Sequence, residues 1–418
     1  MNAPLARLLL LTGLAPLSLS AAGKDSCLDC HASLSGSLQE PVARFANDIH
    51  RQAGIGCATC HGGDNTSTDP KISMSPARGF TGKIARTKVP ALCAKCHSDA
   101  GYMQKFKPQQ RVDQFAQYQT SVHGKRLAAG DAAAANCVDC HSVHDIREVK
   151  NALSPVHPLR LPETCARCHA SATHMAGYKL PVTQFEEYRT SVHWEALSKR
   201  RDLSAPSCAS CHGNHGAKPP QATSVAAVCG TCHALQEDLY KKSPHQPVFS
   251  GMGVAGCVAC HTNHGVQSPS EKMLAGDGAV CVQCHDAESA GGKVAAGMHG
   301  LIRGLESSVA RSSAILLRAR VAGMEVSDSL LRLQEAQEAL VKARVAVHAF
   351  RTDAVGQPVK EGMKIAEQSF RDGQSAMQER DVRRAGLAVS LIAILITIAG
   401  LWLAIRRIEA RRMEPQER

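Results

Sequence analysis

The sequence predicts a mostly α fold with much irregular loop, ending in long helices and one apolar span. Three observations carry this. Aromatic residues make up only 4% of the 418 residues, eighteen cysteines recur at one fixed spacing, and the text beyond about residue 300 becomes cysteine-free and rich in Ala, Leu, Arg, Glu and Gln. Such a composition does not build an ordinary large side-chain core.

The cysteines come first. All eighteen fall in nine Cys-x-x-Cys-His motifs. These are Cys27, Cys30 and His31; Cys57, Cys60 and His61; Cys93, Cys96 and His97; Cys137, Cys140 and His141; Cys165, Cys168 and His169; Cys208, Cys211 and His212; Cys229, Cys232 and His233; Cys257, Cys260 and His261; and Cys281, Cys284 and His285. Paired cysteines at this spacing also serve zinc ribbons, disulfides and thiol redox chemistry. Histidine is about one residue in twenty here, so nine chance followers would all be histidine with odds of about one in 10¹². The motif is the attachment signature of c-type haem. Its two thiols reach the two vinyl groups, and the adjacent imidazole ligates the iron. Nine covalently bound haems c are expected, in a cytochrome c domain packed around stacked haems over residues 23–300.

Charge excludes one class of partner. The polypeptide carries a formal +11, but nine haems would add about eighteen propionate negatives, partly offset by ferric iron. No nucleic-acid partner is read from the basic pI.

The ends place the chain. Residues 1–22 have one early arginine, a leucine-rich run and a small-residue end at Ser20 to Ala22, the layout of a cleaved secretory signal peptide. Residues 386–405, GLAVSLIAILITIAGLWLAI, hold no charge and would span about 30 Å as a helix, enough for one transmembrane crossing. Residues 406–418 form a short basic tail; Arg406, Arg407, Arg411 and Arg412 against Arg380, Arg383 and Arg384 before the span give a small positive-inside bias that, together with the exported N-terminus, puts the tail in the cytoplasm. The haem domain is then expected in the periplasm, tethered to a bacterial cytoplasmic membrane by a single C-terminal anchor.

The motifs are organised by a repeat. The block from Cys93, with QYQTSVHG and CVDCHSVH, aligns with the block from Cys165, with EYRTSVHW and CASCHGNH, at an offset of 70 to 72 residues; a shorter copy starts at Cys229. Each unit contains a haem motif, a middle histidine, a second motif and a histidine three residues beyond it. The first unit reads CHGGD, with Asp64 in the trailing position, and the last is a half unit. About thirty residues per haem cannot enclose a cofactor that large, so the haems must pack on one another. A trailing histidine cannot easily swing round to the far face of its own iron. His144, His215 and His264 are therefore read as distal ligands of other haems, as are the middle histidines His50, His123, His193, His245 and His299. His157 and His174 are the two candidates for a ninth. His348 lies outside the repeat in helical text and is read as a non-ligand.

The tail is expected to be a helical stalk over residues 301–385. Leu330, Leu333, Leu340, Val341 and Val345 keep helical spacing, with breaks at Gly323 and at TDAVGQP, Thr352 to Pro358. Met324, Met363 and Met377 are read as packing residues. The stalk could also dock a membrane partner or a second protomer as a homo-oligomer.

The CxxCH units with CHxxH ends and the QYQTSVHG and EYRTSVHW segments resemble the cytochrome c3-like multihaem c-type cytochromes. The long C-terminal helices resemble those of the octahaem hydroxylamine-oxidoreductase-like cytochromes. The resemblance implies bis-histidine haems in parallel and perpendicular stacked pairs, electron transfer between them, and haem attachment outside the cytoplasmic membrane. The chain departs from the quinol-oxidising tetrahaem group, whose anchor is N-terminal, and has no CxxCK motif, which marks a nitrite-reducing haem. The function expected is transfer of single electrons between a membrane quinol-oxidising complex and periplasmic cytochromes or outer-membrane acceptors. The alternative is an oxidoreductase for a small nitrogen or sulfur compound at a haem lacking its distal histidine, a reading motivated by Asp64.

Overall fold

The computed structural model describes residues 25–412, so the segment read as a signal peptide and the last six residues lie outside the described residues. Among the described residues every regular element is helical. The chain divides into two compact units, the first running to Pro219 and the second starting at Pro220. The boundary falls within the motif-bearing region, so the second unit combines the last three motifs with the long helices.

In the first unit, short helices joined by loops carry the motifs, as in Ser26–Ala32, Cys57–His61, Val89–His97, Cys137–His141, Leu161–His169 and Cys208–His212. Local capping starts them. The Asp25 carboxylate accepts the Cys27 backbone N–H at 3.1 Å; Asn136 accepts that of Val138 at 3.0 Å while Asp139 accepts that of Asn136 at 2.7 Å. A helical turn puts positions i, i+3 and i+4 on one face, so both thiols and the imidazole of a motif face the same way.

The second motif of each of the first four repeats is followed by a residue with positive φ: Gly62 at 70°, Ser142 at 73°, Gly213 at 79° and Thr262 at 60°. With ψ near 180° at all four, this backbone region is essentially reserved for glycine. It ends the helix and turns the chain away from the motif face. At Gly62 a side chain is excluded outright, because a Cβ would lie 2.0 Å from the Gly79 carbonyl oxygen.

In the second unit three long helices, Ala290–Val321, Ser327–Ala346 and Thr352–Arg412, pack as a bundle. Ile302, Leu305, Leu316, Leu333, Ala336 and Val355 form its buried interior. The first helix begins eleven residues before the expected Leu301, through the glycine-rich text AGGKVAAGMHG. Burial of Ala295 and Met298 outweighs the weak helix propensity of glycine there. The first break falls at Gly323, φ 81°, as expected. The second falls at Val347 to Arg351, and TDAVGQP forms the opening turns of the third helix, with Pro358 inside it. Val355 and Val359, both buried, hold those turns against the bundle.

The third helix includes residues 386–405, whose apolar side chains are exposed throughout. It is long and apolar enough to cross a membrane.

Candidate haem sites

Six pairs of histidines face one another across an almost constant gap. The ring centroids of His50 and His97 are 6.0 Å apart, those of His61 and His144 6.1 Å, and those of His123 and His169 6.1 Å. His141 and His215 are 6.0 Å apart, His245 and His285 5.9 Å, and His261 and His348 5.9 Å. Rings that merely pack on each other change separation with tilt. Here the interplanar angle runs from 9° to 87° while the separation barely moves. A common spacer explains that: two metal–nitrogen bonds of about 2 Å, plus about 1 Å from each nitrogen to its ring centre, come to about 6 Å. The residues present therefore fit an iron held between two imidazoles. Among the described residues no cluster of three or more His, Cys, Asp or Glu side chains is arranged to hold a bare metal ion.

The pairs obey a directional rule. A middle histidine faces the first motif of the following repeat, as in His50 with His97, His123 with His169 and His245 with His285. A trailing histidine faces the second motif of the preceding repeat, as in His144 with His61 and His215 with His141. Backbone hydrogen bonds lock both kinds together. The Ile49 N–H donates to the Ile146 carbonyl at 2.8 Å, and in the next repeat the Val122 N–H donates to the Ala217 carbonyl at 3.1 Å. Each joins the residue before a middle histidine to the residue two beyond a trailing one.

Ring nitrogens are oriented by outer partners. His61 Nδ1 bonds the Gly82 carbonyl at 2.8 Å, His31 that of Leu38 at 3.1 Å, His212 that of Lys218 at 3.3 Å and His348 that of Val345 at 2.9 Å. A carbonyl can only accept, so these rings carry their proton on Nδ1 and present Nε2 bare, the arrangement that metal-ligating histidines use. Asp48, almost wholly buried, accepts from His50 Nδ1 at 2.9 Å, the His50 N–H at 2.9 Å and the Ile146 N–H at 2.8 Å. It thus ties His50 to the segment of His144, a role that nothing in the repeat pattern signals. Burial holds His97, His123, His144, His169, His215, His245, His261 and His348 below the usual histidine range and takes His141 down to about 4. The neutral ring so favoured is the ligating form.

Other candidates are placed differently. His157 is buried, and its Nδ1 accepts the Leu159 N–H at 3.3 Å. His174 lies beside Tyr178, 6.1 Å between centroids. Among the described residues no second imidazole faces His157, His174, His299 or His31. His193 and His264 hold the same places in their repeats as the paired histidines.

Asp64 has local work. It pairs with Arg78 at 2.6 Å and accepts from the Thr66 hydroxyl and N–H. The second motif of its own repeat, at His61, is faced by His144, so Asp64 does not leave the His61 site open. His348, set aside on sequence, stands opposite His261.

The attachment points adjoin in chain order. The first cysteines of the two motifs in a repeat lie close together, Cys93 by Cys137, Cys165 by Cys208 and Cys229 by Cys257. Between repeats, Cys60 neighbours Cys93 and Cys96, Cys140 neighbours Cys168, and Cys260 neighbours Cys281 and Cys284.

One-faced Cys-x-x-Cys-His turns with facing imidazoles define a multihaem c-type cytochrome with covalently bound haem c. The cytochrome c3 family profile matches residues 49–170 and 200–289, half of the chain, and the chain belongs to that family. A profile of cytochrome c554 and c-prime matches residues 16–62. The C-type polyheme cytochrome OmcC of Geobacter sulfurreducens is 24% identical over 226 residues, covering 48% of this chain and 27% of that protein. The multiheme cytochrome MtrA of Shewanella baltica is 24% identical over 245 residues, covering 55% of this chain and 58% of that protein. The chain thus spans under two thirds of either relative. No solved structure matches.

Proposed function

We propose that this chain is a nine-haem electron conduit, tethered in the periplasm by residues 386–405 of the cytoplasmic membrane anchor. It would pass single electrons between a membrane quinol-oxidising partner and periplasmic or outer-membrane acceptors. The carrying observation is the set of facing imidazoles at 5.9 to 6.1 Å. An iron closed on both axial faces has no site for substrate, which suits one-electron exchange and not catalysis. Haem supplies that one-electron chemistry when bound. The chain's own contribution is to fix the rings, exclude a sixth-position ligand from solvent, and set the attachment points next to one another in sequence order.

Axial histidine on both sides also favours lower potentials than a methionine would. The helical bundle adds a geometric condition. From Thr352 to Gly386 the third helix rises about 50 Å at 1.5 Å per residue, so the sites near its start stand well away from the apolar span. A quinol-oxidising partner therefore has to bring its own redox centre up to this protein.

Intact-mass analysis of the purified mature protein tests the count. Nine covalent haems, an N-terminus near Gly23 and a spectrum dominated by low-spin iron are expected. Fewer than nine haems, or mostly high-spin iron, would overturn the reading.

A further inference from the structure

The last repeat is a half unit, with one motif at Cys281 and no trailing histidine. By the directional rule, the second motif of the repeat before it, at Cys257, has no donor within the repeat. The turn Val347–Ala349 between the second and third long helices brings His348 to that place. Its centroid is 5.9 Å from that of His261, with ring planes 21° apart. Two other second-motif pairs have similar geometry: His61 with His144 at 6.1 Å and 27°, and His141 with His215 at 6.0 Å and 9°.

Two further features fit the placement. The Val345 carbonyl takes the Nδ1 proton of His348 at 2.9 Å, so Nε2 is left to point across the gap. Phe350, in the left-handed region at φ 53°, closes the turn and packs on His245 at 4.0 Å; His245 in turn faces His285. One short turn from the helical segment thus reaches two neighbouring haem sites.

We propose that His348 is the distal axial ligand of the iron held by Cys257, Cys260 and His261. This rests on the haem reading above. The helical segment then completes the cofactor array and is coordinated to it, and the segment that continues into the membrane anchor is also the source of an iron ligand.

The test uses the full-length holoprotein in two variants. His348→Gly should keep the wild-type number of covalent haems, gain one high-spin ferric iron per chain in the paramagnetic resonance spectrum, and bind one more carbon monoxide per chain after reduction. Added imidazole should return that iron to low spin. His348→Met should stay low-spin with one haem raised in midpoint potential. If His348→Gly keeps the wild-type spin states, the assignment is overturned. Should that variant fail to accumulate, unchanged potentials in His348→Met overturn it equally. Peptide mapping separates the two levels: a Cys257–Cys260 peptide without haem defeats the haem reading, whereas one carrying haem with an indifferent spin state defeats this inference alone.

Discussion

In the bundle of residues 290–385 the interior is a continuous stack of aliphatic side chains, from Met298 and Ile302 through Leu305 and Leu316 to Leu333, Leu340 and Val355. In the repeats the buried apolar residues are few and scattered, such as Val89, Leu127, Met175, Leu197 and Tyr240, and among the described residues the large cluster of buried apolar side chains takes none from before Leu274. Between the repeat elements stand facing imidazoles, with the cysteines of the motifs beside them. One chain therefore uses two sources of cohesion. The bundle is held by the burial of its own side chains, worth about 25 cal/mol per Å², whereas the repeats leave their interior to a prosthetic group.

Three experiments would break or sharpen that contrast. The largest effect should come from removing the cofactor. Full-length chain made without haem attachment should lose protease protection throughout residues 25–289 and keep it across residues 290–385, as read by limited proteolysis with mass mapping. Equal protection of the two regions would end the comparison. A smaller effect should follow Leu305→Ala, which empties a wholly buried position in the bundle. It should cost about 3 kcal/mol, measured by denaturant unfolding of helicity, while haem count and visible spectrum stay as in wild type; a loss of haem would show that the two regions fold as one.

The smallest effect is expected at the turns that follow the second motifs. Ser142 and Thr262 occupy a backbone region suited to glycine, so Ser142→Gly and Thr262→Gly should each stabilise by about 1 kcal/mol, seen as a later denaturation midpoint of the haem absorbance. Gly62→Ala should do the opposite, since its Cβ would meet the Gly79 carbonyl. A Gly62→Ala variant as stable as wild type would show that the turn geometry is not what shapes the repeat.

Much of the site was legible because a covalent attachment needs its residues adjacent in sequence. Cys137, Cys140 and His141 declare themselves by spacing alone, and the repeat marks His50, His123, His144, His215 and His245 as a matched set. Partner choice was not legible, because His144 and His61 are 83 positions apart, and only folding shows that trailing histidines look backward along the chain and middle ones forward. His348 was missed for a related reason. Nothing near it in sequence resembles the repeat, and its only signal was an absence, the trailing histidine that the half unit at Cys281 lacks.

In the tail, period and composition announced helices and an apolar span, yet their limits were misplaced at Ala290 and at Thr352. Gly291 and Gly292 have weak helix propensity, and Pro358 closes the stretch read as a break. Local propensity is worth about 1 kcal/mol at a glycine, less than the burial of Met298 or Val355 returns, so packing set the boundaries. What the sequence determined by itself is where haem can be attached and that one C-terminal helix is apolar enough to cross a membrane, since both depend on neighbours along the chain. Which imidazole stands opposite which, and that a turn between two bundle helices stands opposite His261, was decided only in three dimensions, because axial positions on an iron are filled by whatever the fold brings within about 6 Å across it.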